Sequence, residues 1–406
     1  MIIYDKMILL YSFRGDKVHL YIIKSLIDIA ELIIFLLGVY YLCIAVFSLF
    51  AGARHSNRKD TFRFIAIIPA HNEAETIGGV IASIRSTDYP QELIKILVVA
   101  DGCTDATISI ANKNGAEVFT RDKSTTKGDA LTEAFRHIKG KYDYDVAAVF
   151  DADNIVDTNF FSEVCERMTL GKDVVQGYID SKNPDRSWVS YAYSIWYWIY
   201  NRVSQSGRAR LNLGCRICGT GFAVKREVLD AVEWNTTTTA EDCEYTYMLA
   251  ENGIKVDFCE SAVVYDEKPV CFKESVLQRT RWVQGICDVQ GEYTLRLLKR
   301  FKINAVLGLW GDFLNEFCFV FLFVSYIFKI GDIWQTVAGG VVLWVYITAY
   351  VLSVLIAMLK DKKFNKKIIL NLFGYMIYIS SWVPIGIMGI FGKRKEWYHT
   401  KHSDAV

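Results

Sequence analysis

Three separated carboxylate sites and one basic and aromatic cluster are the residues of this chain best suited to chemistry. Asp101 comes first, Asp151-Ala152-Asp153 second and Glu241-Asp242 third, followed by the cluster Gln278-Arg279-Thr280-Arg281-Trp282. Mg²⁺ and Mn²⁺ bind through hard oxygen ligands, commonly one or two carboxylates together with substrate phosphates. Long apolar segments flank this set on both sides. The order therefore predicts a metal- and phosphate-handling site joined to a membrane bundle.

Composition narrows the class of protein. The 406 residues allow one sizeable soluble domain plus membrane elements. The 46 basic and 45 acidic residues nearly cancel, so nothing indicates a nucleic-acid partner. The 10 cysteines are scattered, which is typical of reduced thiols rather than a disulfide framework. One Cys-x-x-Cys occurs, ending at Cys218, and without a second pair it is weak evidence for zinc.

Two uncharged runs predict membrane-spanning helices. Leu32 to Ala53 is long enough to cross a bilayer of about 30 Å, and the basic residues that follow it favour the cytoplasm. Trp334 to Leu359 is the second run, and Lys360-Asp361-Lys362-Lys363 again indicates a cytoplasmic end. Ile303 to Phe328, although interrupted by two acids, is interpreted as a further crossing with an outer loop at Lys329 to Gln335.

The last apolar run, Ile368 to Gly392, carries conflicting signals. Its length allows a crossing, yet basic clusters flank both of its ends. Pro384, beside Ser380-Ser381, is placed to break the helix. We therefore predict a re-entrant or interfacial hairpin and a cytoplasmic tail over residues 393–406.

The middle of the chain alternates between strand-like and helix-like segments. Phe64–Ile68, Ile94–Val99 and Val146–Phe150 are short, apolar and rich in β-branched residues, as buried parallel strands are. Polar residues follow each run, so they should meet at the carboxyl edge of one sheet. This pattern predicts an α/β domain with its ligands at that edge.

Together these motifs resemble the family 2 glycosyltransferases that make extracellular polysaccharides: the hyaluronan, cellulose, chitin and poly-N-acetylglucosamine synthases. The resemblance covers most of the chain from about Phe62 onward. It implies a glycosyltransferase A (Rossmann-like) fold inserted between transmembrane and interfacial helices. The implied divisions are a leader (1–31), a transmembrane helix (32–53), a cytoplasmic catalytic domain with an interfacial helix near 184–206 (54–271), an interfacial helix with the Gln-x-x-Arg-Trp motif (272–300), transmembrane and re-entrant helices (301–392) and a cytoplasmic tail (393–406).

The resemblance implies roles for the donor-side residues. Glu73 and Asp101 would hold the uridine end, Asp151 would face the ribose and sugar, and Asp153 would bind Mg²⁺ or Mn²⁺ bridging the diphosphate. Lys127 begins a helix, whose N–H groups and lysine charge support the donor; an ordinary solvated helix start explains the same residues.

The Glu241-Asp242 pair has two readings. Thr and acidic residues form a common helix N-terminus, and most such strings are nothing more. The family places its catalytic base in a Thr-Glu-Asp or Glu-Asp motif at this point, although here Ala240 precedes the pair. By that resemblance Asp242 is the base, and a single base without a carboxylate nucleophile implies inversion.

The basic and aromatic cluster matches the processive branch of the family. Arg281 can neutralise the leaving diphosphate, and Gln278 lies on the same helical face. Trp282 offers a ring for stacking against the acceptor sugar. By resemblance, Cys218, Gly219 and Thr220 also lie by the acceptor, and Trp397 and Thr400 return to the nucleotide site. The aromatic run Trp188 to Tyr200, which could equally be core, is interpreted as an interfacial helix.

These readings predict a multi-pass cell-membrane enzyme with a cytoplasmic catalytic domain. It would extend a β-linked polysaccharide processively from a UDP-sugar, with UDP-GlcNAc favoured and UDP-glucose next, and export the product, with room for an accessory subunit. Glycosylation of a membrane lipid is the nearest alternative, and a non-catalytic scaffold or exporter is a third.

Overall fold

The computed structural model describes residues 16–50, 60–122, 126–328 and 337–392. An eight-stranded mixed sheet lies at its centre, with strand order β3-β2-β1-β4-β7-β6-β8-β5. The strands are β1 Phe64–Ala70, β2 Ile94–Asp101, β3 Glu117–Arg121, β4 Val146–Val149, β5 Ile155–Val156, β6 Val174–Ser181, β7 Phe222–Lys225 and β8 Val256–Asp266.

The parallel half of the sheet is the part that the sequence predicted. β1 pairs in parallel with both β2 and β4, and β2 pairs in parallel with β3. β7 runs antiparallel to β4 and β6 and joins this half to the rest of the sheet. The glycosyltransferase A architecture expected from the sequence is therefore confirmed.

Fourteen α-helices lie within the described residues. They are α1 Asp16–Phe47, α2 Ile77–Arg85, α3 Thr107–Lys113, α4 Lys127–Ile138, α5 Phe160–Thr169, α6 Trp188–Ile199, α7 Gly207–Arg210, α8 Arg226–Ala231, α9 Glu241–Glu251, α10 Phe272–Lys299, α11 Ile303–Phe328, α12 Val337–Lys360, α13 Lys366–Ser380 and α14 Trp382–Phe391. Short 3₁₀ turns occur at Gln91–Leu93 and Pro184–Arg186, and a π-helical stretch, Tyr200–Ser206, joins α6 to α7.

Helices cover both faces of the sheet, which explains why its central strands are apolar throughout. Along β1, Phe64, Ala66 and Ile68 pack into a core with α2 and α5. Ile65 and Ile67 point the opposite way and pack with α4 and α9. Successive strand residues face opposite sides, so a strand that is buried on both faces, such as β1, is apolar on both.

The apolar helices differ in extent from the predicted spans. α1 begins at Asp16, inside the segment assigned as a leader, and ends at Phe47, six residues before Ala53. Within the described residues, three segments are long and apolar enough to cross a membrane: Ser25–Phe47, Leu343–Lys360 and Lys366–Phe391. The helix predicted from Ile303 to Phe328 forms with those bounds, whereas its expected outer loop lies outside the described residues.

The C-terminal apolar run forms two helical segments, and the predicted re-entrant or interfacial hairpin stays a prediction. α13 ends at Ser380 and α14 begins at Trp382. Pro384 lies in the first turn of α14, where a missing N–H is tolerated. Its ring would clash with the carbonyl group four residues earlier in a continuous helix, so the break falls at this junction. The tail residues Trp397 and Thr400 lie outside the described residues.

The aromatic helix α6 corrects one expectation. Its aromatic residues were expected in the lipid headgroup region, but Tyr191, Tyr193, Tyr197 and Trp198 are buried within the protein. Only Trp188, at the start of the helix, is 39% exposed. The reason is that α13 packs along α6 and covers it. These aromatic residues therefore pack in the protein core, as aromatic residues on one face of a helix usually do.

Candidate active site

Carboxylates converge at the carboxyl edge of the sheet. Asp151 follows β4, Asp153 lies two residues later, and Asp266 is the last residue of β8. One oxygen of each of these three carboxylates lies within 4.8 Å of the others. Asn154 Nδ2 donates to Asp266 at 3.1 Å, and Lys268 Nζ donates at 2.7 Å, which fixes that side chain. This all-oxygen set fits a divalent ion such as Mg²⁺ or Mn²⁺.

The charge state of Asp151 reflects this crowding. Burial in the cleft raises the pKa of the Asp151 carboxyl above its ordinary value. The nearby charges of Asp266 and Glu73 act in the same direction, while Lys127 opposes them. Packed negative charges of this kind are stabilised by a bound cation.

Asp101 and Glu73 lie at the ends of neighbouring strands. Arg121 Nη1 donates to Asp101 at 2.6 Å, and both side chains are almost fully buried. His71 Nδ1 lies 2.6 Å from the Asp101 carbonyl oxygen. Glu73 accepts from the Thr76 hydroxyl at 2.9 Å. These contacts hold both carboxylates at one corner of the cleft.

Lys127 links the carboxylate Asp151 to the loop that contains Gly219. It begins α4, which Thr126 caps by accepting from the Asp129 N–H at 3.1 Å. Its Nζ pairs with Asp151 and donates to the Gly219 carbonyl oxygen at 2.8 Å. Although burial lowers the pKa of Lys127, the charges of Asp151 and its neighbours raise it to about 12. Lys127 is therefore a fixed cation between two parts of the site.

Glu241 and Asp242 form the first turn of α9. Burial and the adjacent Asp242 charge raise the pKa of Glu241 to about 7. Asp242 Oδ1 accepts from the Cys243 N–H at 2.7 Å. A Cβ atom added at Gly219 would lie 3.5 Å from Asp242 Oδ2, so the glycine allows the loop to approach this carboxylate closely.

The loop from Cys218 to Thr220 is positioned from below by Gln176. Gln176 Oε1 accepts from the Cys218 N–H at 2.9 Å, and its Nε2 donates to the Thr220 carbonyl oxygen at 2.9 Å. The Thr220 hydroxyl accepts from the Asp151 N–H at 3.0 Å. Thr220, expected beside the acceptor, thus also supports the turn that carries the metal-side carboxylates.

The Gln-x-x-Arg-Trp residues lie on α10 across the cleft. Tyr193 of α6 donates its hydroxyl proton to Gln278 Oε1 at 2.8 Å. The ring of Trp282 meets the Tyr193 ring edge-on, with 6.2 Å between centroids. The positive charge of Arg281 acts on Glu241, lowering the pKa of that carboxyl against the larger effect of burial. The motif therefore faces the acidic pair at the start of α9.

One cavity of about 1250 Å³ is lined by the carboxylates of the site, by Lys127, by the loop from Cys218 to Thr220 and by the Gln-x-x-Arg-Trp residues Gln278, Arg281 and Trp282. The predicted site residues that lie within the described part of the chain all line it: Glu73, Asp101, Lys127, Asp151, Asp153, Cys218, Gly219, Thr220, Asp242, Gln278, Arg281 and Trp282. The cavity continues to Tyr41 and Ile44 of α1, Gly308 and Gly311 of α11, and Trp382 of α14. A cleft with a carboxylate end is thus continuous with a space between apolar helices.

Comparisons with known proteins decide the family. A family model described as glycosyltransferase-like family 2 matches residues 62–285, more than half of the chain. The chain belongs to glycosyltransferase family 2. The match ends just beyond the Gln-x-x-Arg-Trp motif, so it includes the predicted site residues from Glu73 to Trp282 but not the tail residues Trp397 and Thr400.

Curated relatives of this family 2 chain differ in what their names say. The protein named probable glycosyltransferase YdaM of Bacillus subtilis is 25% identical over 85% of this chain and 88% of its own length. An N-acetylglucosaminyltransferase of Azorhizobium caulinodans is 24% identical over 55% of this chain and 60% of its own length. A β-monoglucosyldiacylglycerol synthase of Synechocystis is 25% identical over 54% and 47%, respectively.

A solved structure supports the fold. The mannosyltransferase PcManGT from Pyrobaculum calidifontis, in complex with GDP-Man and Mn²⁺, is 16% identical. It covers 91% of this chain and 100% of its own, with a TM-score of 0.57. The chain is therefore a glycosyltransferase with the glycosyltransferase A fold.

Sequence reasoning missed residues that support the site. Asp266 was detectable, because β8 ends in an acid after Ala262-Val263-Val264-Tyr265, the same pattern that identified Asp151 after β4. Gln176 lies inside β6, and Arg121 ends β3. Neither position carries a local signal, because its partner is distant in sequence and becomes adjacent only through the sheet.

Proposed function

We propose that this protein transfers a sugar from a UDP-sugar, with inversion, to the growing end of a β-linked polysaccharide at the cytoplasmic face of the membrane. UDP-GlcNAc is the first donor and UDP-glucose the second. The enzyme acts processively and passes its product between its own helices. The relative named as an N-acetylglucosaminyltransferase supports the choice of GlcNAc as the transferred sugar.

The continuity of the cavity is the observation that carries this proposal. Its carboxylate end suits a nucleotide diphosphate, and its other end is bounded by Tyr41, Gly308 and Gly386 of three apolar helices. Trp196, Trp282 and Trp382 also line the cavity, and their flat rings are suited to stacking against sugar units. An acceptor bound along this cavity would be an extended chain that runs from the carboxylate end towards the apolar helices.

The chemistry follows from groups already in place. Asp242 takes the proton of the acceptor hydroxyl as that oxygen attacks the anomeric carbon, and the bond to the diphosphate breaks. Arg281 balances the negative charge that develops on the leaving diphosphate. A divalent ion held by Asp151, Asp153 and Asp266 would supply further positive charge to the same group.

The membrane arrangement completes the proposal. α1, α11 and α12 cross the bilayer, and α13 and α14 lie along the domain at its cytoplasmic face. Basic residues follow α1 and α12 in sequence, which favours the cytoplasm for the catalytic domain. We include no accessory export subunit, because neither the fold nor the names of these relatives indicate one.

Glycosylation of a membrane lipid is the second candidate. The relative named as a β-monoglucosyldiacylglycerol synthase and the apolar helices around the cavity favour it. Purified protein in lipid nanodiscs would be incubated with a panel of UDP-sugars and Mn²⁺, and the products analysed by mass spectrometry. A ladder of oligosaccharides built from one UDP-sugar supports the proposal. Addition of a single sugar to a lipid would show that the acceptor is a lipid and not a polysaccharide. If no UDP-sugar is turned over, the proposed donor class is wrong.

A further inference from the structure

Arg279 is a buried cation that the mechanism above does not use. It lies on α10 between Gln278 and Arg281, and its side chain is 0% exposed. Its Nε donates to the Ser275 carbonyl oxygen at 3.3 Å, and its Nη1 donates to the Tyr378 carbonyl oxygen at 3.1 Å. Within the described part of the chain, its Nη2 has no hydrogen-bond partner and no carboxylate forms an ion pair with it. Among the described residues, only neutral groups therefore contact this charge.

Aromatic rings from three elements surround this guanidinium. Its central carbon lies 4.1 Å from the centroid of Tyr378, 5.1 Å from Trp382 and 5.9 Å from Tyr193. Cations over aromatic faces are attracted by the ring quadrupole. Tyr378 and Trp382 lie on either side of Ser381, where α13 ends and α14 begins. Arg279 therefore attaches the helix that carries the Gln-x-x-Arg-Trp motif to this helix junction.

The hydrogen bond from Arg279 to the Tyr378 carbonyl oxygen lies at the C-terminal end of α13. The Tyr378 carbonyl lies in the last turn of α13, where the helix dipole favours a positive charge. The Ser381 hydroxyl donates to the same carbonyl oxygen at 2.6 Å. The broken end of α13 is thus held by Arg279 on one side and by its own chain on the other.

The position of this junction determines one wall of the cavity. From α14, Trp382, Val383, Gly386, Ile387 and Ile390 line the same cavity as Gln278 and Arg281. α14 packs along α10, and Val283 of α10 contacts Gly389 of α14. A displacement of α14 would therefore change the space beside Trp282, on the acceptor side.

We propose that Arg279 is a positioning residue that fixes the α13–α14 junction on the motif helix and thereby shapes the acceptor part of the cavity. The proposal rests on the proposed function of that cavity. A buried cation with an unmet donor costs stability relative to an apolar side chain of similar size. Its presence here is explained by the geometry it imposes and not by the stability it adds.

Two substitutions separate positioning from stability. Arg279→Met keeps the volume and removes the charge, whereas Arg279→Lys keeps a cation that can reach the rings and the Tyr378 carbonyl. With UDP-GlcNAc and GlcNAc oligosaccharides, Arg279→Met should raise the acceptor KM about 10- to 100-fold, the scale of a small misplacement. Its affinity for UDP and its Tm should equal or exceed those of the wild type, and Arg279→Lys should recover most of the acceptor affinity. Lys273→Met, an exposed position on the same helix, is the matched control for loss of one charge.

Hydrogen exchange measured by mass spectrometry gives a readout that needs no substrate. In Arg279→Met, amides of residues 366–391 should exchange faster than in the wild type, while amides of α9 should not change. An unchanged acceptor KM with unchanged exchange would overturn the proposal. So would an equal loss of Tm and UDP affinity, because that describes a merely structural residue. If the wild type uses no oligosaccharide acceptor, the proposed function fails and the exchange comparison still decides the role of Arg279.

Discussion

Asp242 differs from the other carboxylates of the cavity in its partners. Asp101 is paired with Arg121, and Asp151 is paired with Lys127. In the described part of the chain Asp242 forms no ion pair, and its carboxylate accepts a hydrogen bond from the N–H of Cys243 at 2.7 Å. A carboxylate that must accept a proton during the reaction cannot be neutralised beforehand by a tight ion pair. We therefore expect Asp242 to be able to act as the base.

Replacing Asp242 by Asn tests this role. Asp242→Asn keeps the shape and the helix start, so it should fold and bind UDP normally. Transfer should fall by about 10²-fold or more, the usual scale for loss of a general base. Asp129→Asn, the same change in the first turn of α4 but outside the cavity lining, should have little effect. Near-normal turnover in Asp242→Asn would refute the assignment.

Arg281 and Trp282 are expected to fail in different ways. Arg281→Ala should lower turnover strongly, because the charge on the leaving diphosphate is no longer balanced. Trp282→Ala should mainly raise the acceptor KM and shorten the product, because it removes a stacking surface. Steady-state kinetics and product length measure both effects. Identical defects in UDP binding would show that the division of roles is wrong.

Asp266 is expected to share the metal with Asp153. EDTA should abolish turnover, and Mg²⁺ or Mn²⁺ should restore it. Asp266→Ala should raise the Mn²⁺ concentration that gives half-maximal activity by about tenfold or more. Substitutions around metal sites typically weaken metal affinity on this scale. Asp157→Asn, which faces Tyr265 outside the cavity lining, is the control. Metal dependence unchanged by Asp266→Ala would exclude Asp266 from the site.

At the scale of elements, α13 and α14 follow the catalytic domain along their whole length. The Tyr191 hydroxyl donates to Asn365 at 3.2 Å, just before α13, and Lys363 Nζ donates to Asp180 at 2.7 Å. Further along, the Tyr378 ring lies 5.0 Å from that of Tyr193. The outward face is apolar: Leu370, Phe373 and Phe391 are 80%, 74% and 82% exposed. This combination is typical of a segment lying at a bilayer surface, although its length alone would allow it to cross.

The side of the tail distinguishes these arrangements. If α13 and α14 lie at the cytoplasmic face, a cysteine introduced by Ser403→Cys should resist a membrane-impermeant thiol reagent in intact cells. It should react after permeabilisation, with the parent protein measured in parallel to subtract its native cysteines. Labelling in intact cells would mean that the segment crosses and that the tail lies outside.

Features with a local sequence signal were predictable, whereas contacts between distant segments were not. The strands ending near Asp101 and Asp151 were predictable, because a buried strand followed by acids is a local signal. The break near Pro384 was predictable for the same reason. Asp266 carried the same local signal, an acid at the end of a strand, but was not assigned a role. Arg279 was not assigned a role, since its partner Tyr378 comes from a distant segment. The aromatic run of α6 was assigned to the membrane because its sequence does not reveal that α13 covers it.

At the scale of the whole molecule, the domain and the apolar helices share one cavity. Tyr41 of α1 donates to the Leu307 carbonyl oxygen of α11 at 2.9 Å, and Arg202 pairs with both Glu260 of the sheet and Asp361 after α12. These contacts fix the helices against the catalytic domain. The apolar end of the cavity therefore has a defined position relative to its carboxylate end, and the proposed processive extension would require this.

The most direct test of this account is a cryo-electron microscopy map of the protein in nanodiscs with UDP, Mn²⁺ and a GlcNAc oligosaccharide. The account predicts UDP density beside Asp101 and Asp153. It also predicts a sugar chain whose terminal hydroxyl meets Asp242 and whose length runs past Trp282 and Trp382 towards Tyr41. A chain that leaves Asp242 into the cytoplasm, or a lipid headgroup in its place, would contradict the account.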